Sequence, residues 1–184
     1  MVFETKRLLV RRPRVCDDDV ELFYRLWTDP QVMTPVGFPH GLRITREGIR
    51  EGLKGADDDF YDRKLIVEFK DTGQAIGECK LGTPDGDGVS ETDVKLLPEF
   101  WGRGFGTEIK QGLVDFLFEH TACRAVKATP NKNNPASQKM QEAVGGEIID
   151  EGVYRFPEEM RGYTVDVPYY LYLVSRETWE KRKK

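Results

Sequence analysis

The run Leu96-Leu97-Pro98-Glu99-Phe100-Trp101-Gly102-Arg103-Gly104-Phe105-Gly106-Thr107-Glu108 constrains the fold more than any other stretch. An apolar strand ends at a proline, crosses three glycines at alternate positions and enters an amphipathic helix. Glycines at 102, 104 and 106 admit positive φ and keep Cβ atoms away from a ligand, so successive N–H groups can converge on one anion. The helix that follows adds unpaired first-turn amides and the positive end of its dipole. Ile109, Leu113, Phe116 and Leu117 recur at helical spacing, which predicts a helix from Phe105 to about His120. The stretch reads as a cradle for a phosphate-bearing cofactor. Two familiar nucleotide motifs fail here: the last glycine of a Gly-x-Gly-x-x-Gly match starting at Gly102 is Thr107, and the Gly-Lys-Ser/Thr of a Walker loop is absent. A plain strand-to-helix connection is the competing reading, and the rest of the chain has to decide between them.

The length of 184 residues suits one domain, 1–184, with a full core and no Pro/Gly/Ser-rich linker to divide it. A net charge of −4 and a pI near 5.4 leave no broad electrostatic footprint for nucleic acid. Cys16, Cys79 and Cys123 are odd in number, widely separated and without Cys-x-x-Cys spacing, so they suggest neither a disulfide framework nor a zinc site. Only His40 and His120 could add imidazole ligands, and no metal is expected. The N-terminus lacks an apolar core segment, and no uncharged run is long enough to span a bilayer; a cytoplasmic location without membrane partners is expected.

In chain order, Leu8-Leu9-Val10 reads as a short strand ended by Pro13. Asp17-Asp18-Asp19 offers an N-cap and dipole-compatible charge to a helix carrying Val20, Leu22, Phe23, Leu26 and Trp27, stopped at Asp29-Pro30. Pro35, Gly37, Pro39 and Gly41 predict an irregular segment until Thr45 caps a second helix reaching about Gly55. Asp57-Asp58-Asp59 with Phe60 and Tyr61 offers either a pocket for a cationic substrate or a solvated face. Leu65 to Phe69 and Ala75 to Leu81 read as a hairpin, and a third strand from about Val89 to Leu97 delivers the chain to the glycines. Ala125 to Ala128 is a short buried strand; one crossover joins it to the strand before the helix, so the two should run parallel. Asn134-Pro135-Ala136-Ser137 opens a helix that Gly145-Gly146 closes. Ile148-Ile149 and Pro168 to Val174 supply two last strands around an insert, Phe156 to Thr164, and Thr178 to Lys184 is a charged helical tail.

This order of elements resembles the GNAT acetyltransferase superfamily, and the residues resemble its ribosomal-protein N-terminal branch, the RimJ/RimL type. Glu4-Thr5-Lys6-Arg7-Leu8 is similar to that branch's opening Glu-Thr-x-Arg-Leu. In the superfamily's Gln/Arg-x-x-Gly-x-Gly/Ala motif, Gly104 and Gly106 fit and Trp101 takes the Gln/Arg place, as is usual in the branch. Asn134-x-x-Ser137, eight residues before Gly145, is similar to the branch's Asn-x-x-Ser before Gly-Phe, although Gly146 replaces the Phe. The resemblance implies a mixed α/β fold with a central, mostly antiparallel, splayed sheet flanked by helices on both faces. It implies acetyl-CoA as cofactor, with the amides of Gly102, Arg103, Gly104, Phe105, Gly106 and Thr107 on the pyrophosphate. Leu96 and Leu97 would pair through their backbones with the pantetheine arm, and Asn134 would contact it from the far side. The competing role for Asn134 is a helix N-cap before a proline at N1.

Acetyl transfer to an amine requires a neutral nucleophile, a stabilised oxyanion and a thiolate leaving group that gains a proton. A lysine-type amine with a pKa of about 10.4 needs a base more than an α-amine near 8 does. Glu91, ten residues before Trp101, matches the family's strand carboxylate that removes the proton. Many relatives place a tyrosine seven residues after the motif Asn as the acid, but here that place is Gln141, which cannot donate in this way. The resemblance moves the role to Ser137, as acid or thiol-orienting hydroxyl, against the alternative of a first-turn serine bonding the backbone. Glu158 is a second candidate carboxylate. Tyr169, Tyr170 and Tyr172 read mostly as core. An acetyl-CoA-dependent N-acetyltransferase is therefore expected, acting on a protein N-terminus or a small-molecule amine, as monomer or homodimer. The rival reading is an idle acyl-CoA-binding regulatory domain, which Gln141 keeps open. Acceptor choice is expected to lie in segments 30–44, 54–62 and 156–166.

Overall fold

The computed structural model describes residues 1–54 and 60–184, so the acidic run Asp57-Asp58-Asp59 lies outside the described residues. Phe3–Glu4 (β1), which the sequence reading missed, pairs antiparallel with Leu8–Arg11 (β2). The first helix, Asp17–Thr28 (α1), begins as expected, but its N-cap residue is Cys16, without a side-chain cap bond. Asp19 turns inward instead and is fully buried. Arg11 Nη1 and Nη2 each donate to it at 2.7 Å, and the Arg14 amide donates at 2.6 Å. Burial alone would raise the Asp19 carboxyl, yet these three donors hold it below the usual carboxylate range. A buried carboxylate must find such partners, and a cap geometry would have left it in water.

Asp29-Pro30 ends α1 at Thr28 as expected and also opens the next element. The Asp29 carboxylate accepts from the Gln31 amide at 2.8 Å and caps a helical turn, Pro30–Met33 (α2), which a 3-10 turn at Thr34–Val36 extends. Thr45 then caps Arg46–Leu53 (α3), accepting from Gly48 N–H at 3.1 Å as its position predicts.

The predicted hairpin is present as Lys64–Phe69 (β3) and Ala75–Leu81 (β4), with β3 also pairing β2. Val89–Leu96 (β5) lies antiparallel to β4 and feeds the glycine turn and Phe105–His120 (α4), whose limits match the sequence reading. Ala125–Ala128 (β6) runs parallel to β5 and is hydrogen-bonded to it. Pro135–Ala143 (α5), Glu147–Tyr154 (β7), Val167–Ser175 (β8) and Arg176–Arg182 (α6) complete the chain. The eight strands form one sheet in the order β1-β2-β3-β4-β5-β6-β8-β7, antiparallel at every junction except β5–β6.

Helices cover both faces of this sheet. Trp27 of α1 donates to Glu78 of β4, which pairs with Lys95 of β5, whereas Lys110 of α4 donates to Thr92. Lys95 and Thr92 are an odd number of residues apart on one strand, so they point to opposite faces. Ile109, Leu113, Val114 and Leu117 bury the α4 side completely, each such side chain contributing about 1.5–3 kcal/mol.

The parallel junction is short and decides the site. Its rungs are Val89↔Ala125, Ser90↔Val126 and Glu91↔Lys127, after which β6 ends at Ala128 and continues to pair only with β8. From Thr92 to Leu96 the edge of β5 that faced β6 has no strand partner among the described residues, so the sheet forks.

Candidate active site

The cradle sits at the open end of the fork. Gly104 caps α4 at φ +79° and Gly102 lies at φ +71°, backbone conformations that favour glycine. A Cβ placed on Gly102 would meet nothing within 4 Å, and one on Gly104 would meet only the Arg7 guanidinium, at 3.7 Å. Gly106 has a different reason: a Cβ there would stand 3.3 Å from Met140 Sδ, where α5 packs on α4.

The opening Glu-Thr-x-Arg-Leu motif proves to be the clamp on this cradle. Glu108, in the first turn of α4, accepts from Thr5 Oγ1 at 2.6 Å, the Arg7 amide at 2.8 Å and Arg7 Nε at 2.7 Å. Burial would raise the Glu108 carboxyl, but Thr5 and Arg7 hold it below the usual range. The Arg7 guanidinium also reaches the Arg103 carbonyl at 3.4 Å and lies 4.3 Å over the Phe105 ring. The loop carrying the glycines is thereby tied to the N-terminal strand pair from the far side of the sequence.

Backbone direction along β5 follows from its bonds. Glu91 C=O accepts from Gly82 N–H at 2.8 Å and Leu97 N–H donates to Ile76 C=O at 2.9 Å, both toward β4. Alternate residues of a strand point their peptide groups to opposite edges, so Thr92, Val94 and Leu96 present theirs to the fork. The expected backbone pairing of Leu96 and Leu97 with a cofactor arm is narrowed accordingly. Leu97 has its amide committed to β4, and the Leu96 carbonyl is capped by Trp101 Nε1 at 2.7 Å, which leaves the Leu96 amide. That bond also gives the tryptophan in the Gln/Arg place a job, since it closes the strand end just ahead of the glycines.

On the face opposite α4, Glu91 is exposed at the last rung of the β5–β6 ladder. Beyond it lies a group of alternating charges. Asp93 contacts Lys95 and lies 3.5 Å from Lys64, and both lysines lie 3.5 Å from Glu78 Oε1, while Glu78 Oε2 accepts from Trp27. Burial opposes ionisation of Asp93, but Lys95 and Lys64 prevail and hold it well below the usual range. Glu91 forms no ion pair among the described residues, so the two carboxylates of this strand differ in what holds them.

Segments 30–44 and 156–166 meet as one wall. Phe38 makes edge contacts with Phe156 at 5.2 Å and Tyr163 at 5.6 Å. Tyr163 Oη accepts from the Arg43 amide at 2.6 Å, and Val165 N–H donates to Gly37 C=O at 2.9 Å. Glu158 points away, 77 % exposed and paired with Arg161. Phe60 packs on Tyr61 and on Phe116 of α4.

Asn134 caps α5 by accepting from the Ser137 amide at 3.2 Å, with Pro135 at the first helical position. The Ser137 side chain is half-buried beside it, and Gln141, in the place of the family tyrosine, is 4 % exposed. Tyr172 is core, its hydroxyl donating to Glu142 at 3.0 Å, and burial with that carboxylate pushes its phenol up to about 12. Sequence reasoning missed Thr92, Val94 and Lys110. A lysine interrupting the apolar stripe of α4 was the one signal available for the last. Among the described residues no group of three or more His, Cys, Asp or Glu could hold a metal ion, and no helix is long and apolar enough to cross a membrane.

An open glycine cradle on a helix N-terminus, placed at the end of a forked strand edge, fits a pyrophosphate joined to an extended, amide-bearing arm. That is the shape of coenzyme A. Residues 7–147 match the profile of the acetyltransferase (GNAT) domain. The uncharacterised N-acetyltransferase p20 of Bacillus licheniformis is 30% identical over 180 residues, spanning 94% of this chain and 96% of its own. A GNAT-family acetyltransferase structure from Bacillus anthracis superposes with a TM-score of 0.75 at 20% identity, covering 95% of this chain and 98% of that one. The spermidine N-acetyltransferase of Vibrio cholerae, solved with CoA and spermine, gives 0.75 at 17% identity over 94% and 98%. The chain belongs to the GNAT acetyltransferase family, and its mixed α/β sheet with a single parallel junction is that family's fold.

Proposed function

We propose that the protein is a single-domain N-acetyltransferase of the RimJ/RimL type that takes acetyl-CoA as donor and a small-molecule primary amine as acceptor. The observation that carries this is the order of features along β5: a carboxylate at the base of the fork, an unpaired edge beyond it, and a glycine cradle at its end. When bound, acetyl-CoA supplies the activated acetyl thioester. The amides of Gly102, Arg103, Gly104, Phe105, Gly106 and Thr107 hold the pyrophosphate, the Leu96 amide holds the arm, and Asn134 adds to its far side while capping α5. Glu91 removes the acceptor's proton. Asp93 is unsuited to that role because its lysine partners hold it ionised far below neutrality. Ser137 orients or protonates the sulfur. The amine acceptor is supported by the spermine bound to the Vibrio cholerae neighbour. The idle-domain reading is not favoured, because the family and the named relative are acetyltransferases and the carboxylate and hydroxyl both remain.

The test is calorimetric titration with acetyl-CoA followed by thiol release on a panel of polyamines and other small amines. Glu91→Gln is expected to keep acetyl-CoA affinity and lose roughly 100-fold in kcat, the usual scale for a lost general base. Tight acetyl-CoA binding by the wild type without thiol release on any amine would overturn the enzyme reading.

A further inference from the structure

Lys110 shares the buried stripe of α4 with Ile109, Leu113 and Val114, at 1 % exposure. An apolar residue would serve that position better, because a buried ammonium loses its water and must be compensated. Neither the cradle nor the base assigned above uses it. Its Nζ donates to Thr92 Oγ1. Thr92 is the first residue of β5 beyond the last rung with β6, so the amine lies at the crotch of the fork, on the α4 side.

β5, β4, β1 and α5 pack on α4, and α6 joins it at the far end, where Trp179 donates to Asp115 and Lys183 pairs with Glu119. The charges that bear on Lys110 are Asp93 and Glu91 of β5, both on the opposite face of that strand and both favouring the ammonium. Lys95 of β5 pairs with both Glu78 of β4 and Asp93, and Lys80 of β4 pairs with Asp62. Cys79 of β4 is kept a neutral thiol by burial. Glu4 of β1 is paired with Lys70, and Glu142 of α5 accepts from Tyr172 while Lys139 is exposed. Burial outweighs the two carboxylates and lowers the Lys110 amine to about 7, so both of its charge states are populated near neutrality.

We infer that Lys110 is a positioning residue for acetyl transfer: acting through Thr92, it places a positive charge at the fork that stabilises the departing thiolate of coenzyme A. This rests on the acetyl-CoA reading above. The acceptor nitrogen forms its C–N bond to the thioester carbonyl carbon and the C–S bond breaks with its electron pair on sulfur. The acceptor's proton passes to Glu91, and Lys110 keeps its own. Ammonium and thiolate favour each other in a site of low dielectric. A sulfur that is stable as an anion has no need of a proton at the moment it leaves, which selects the orienting role for Ser137 and accounts for Gln141 in the place of the family's acid.

The measurement is thiolate absorbance of coenzyme A bound to the full chain across about pH 6 to 9, with desulfo-coenzyme A on the same protein as the blank that cancels Cys16, Cys79 and Cys123. Bound coenzyme A is expected to titrate at least ~1 pH unit below an ordinary thiol at about 8.5. Lys110→Met and Thr92→Val are expected to lose that shift and ~10-fold or more in kcat, with little change in the KM for acetyl-CoA. Lys110→Arg, which restores the charge, should regain the absorbance. Wild-type protein whose bound coenzyme A titrates like the free thiol, or Lys110→Met that titrates like wild type, would overturn the inference. If Lys110→Met does not fold, an unchanged titration in Thr92→Val overturns it equally. Absence of coenzyme A binding to the wild type is a separate outcome that fails the cofactor reading and takes this inference with it.

Discussion

The cradle end of the molecule and the wall at segments 30–44 and 156–166 are built by opposite means. The cradle is backbone: glycines and first-turn amides within one short run, clamped by the ionised Glu108 between Thr5 and Arg7. The wall is side chain: Phe38, Phe156 and Tyr163 in edge contact, with Tyr163 Oη accepting from an amide 120 residues away. Peptide amides suit a ligand group that never changes, such as a pyrophosphate, because they are present whatever side chains surround them. Rings on loops suit a ligand that differs between relatives, because they can be exchanged without disturbing the sheet.

The largest effect that would break this division is expected from Gly104→Val. A β-branched residue at φ +79° carries about 1–2 kcal/mol of backbone strain and brings a side chain to the cradle, so acetyl-CoA affinity should fall ~100-fold or more by calorimetry. The ring signals of Phe38 and Tyr163 in near-ultraviolet circular dichroism should stay as they are. Loss of both together would show that cradle and wall are one cooperative unit.

A smaller and opposite effect is expected from Phe38→Ala. Two edge contacts are removed at about 0.5–1.5 kcal/mol each beyond the area lost. The KM for the amine should rise roughly tenfold while acetyl-CoA affinity changes less than about twofold, on the scale of 1.4 kcal/mol per decade. A parallel fall in acetyl-CoA affinity would place the wall in the cofactor site instead.

The smallest effect is acid sensitivity. Glu108 has its folded-state pKa held below its ordinary value, so the clamp contributes its full stability above that ordinary value and loses it as pH falls through the lowered one. Acetyl-CoA affinity should therefore weaken with acidification before the wall's ring signals change. Glu108→Gln should remove that part of the pH dependence and cost about 1–3 kcal/mol at neutral pH, read by thermal melting. Equal acid sensitivity of cradle and wall would mean that charge holds both.

Much of the local structure around the glycine turn was legible in the chain. The Phe105–His120 helix, the Thr45 and Asn134 caps and the hairpin followed from spacings of a few residues, and the structure keeps them. Asp29-Pro30 ends the first helix as its sequence predicts, but the helical turn after it was not foreseen, because a proline that ends one helix is equally suited to begin the next. Asp19 keeps its predicted place in the first turn of α1, but its pairing with Arg11 was not legible because Arg11 sits on a strand, beyond the reach of helix-local rules. The direction of the Leu97 amide, which turns to β4, depends on which edge of β5 faces β4, a matter of register that no local pattern carries.

By itself the sequence determined the glycine cradle, the helix it opens and the candidate carboxylate ahead of it, since turns, caps and apolar stripes answer to neighbours within a turn or two. The tertiary structure alone decided the rest: the fork that leaves Thr92 to Leu96 with an open edge, the clamp of Thr5 and Arg7 on Glu108, the burial of Lys110 and the meeting of Phe38 with Tyr163. Each of these depends on strand register and on contacts between residues far apart in the chain, and neither is written in any local pattern.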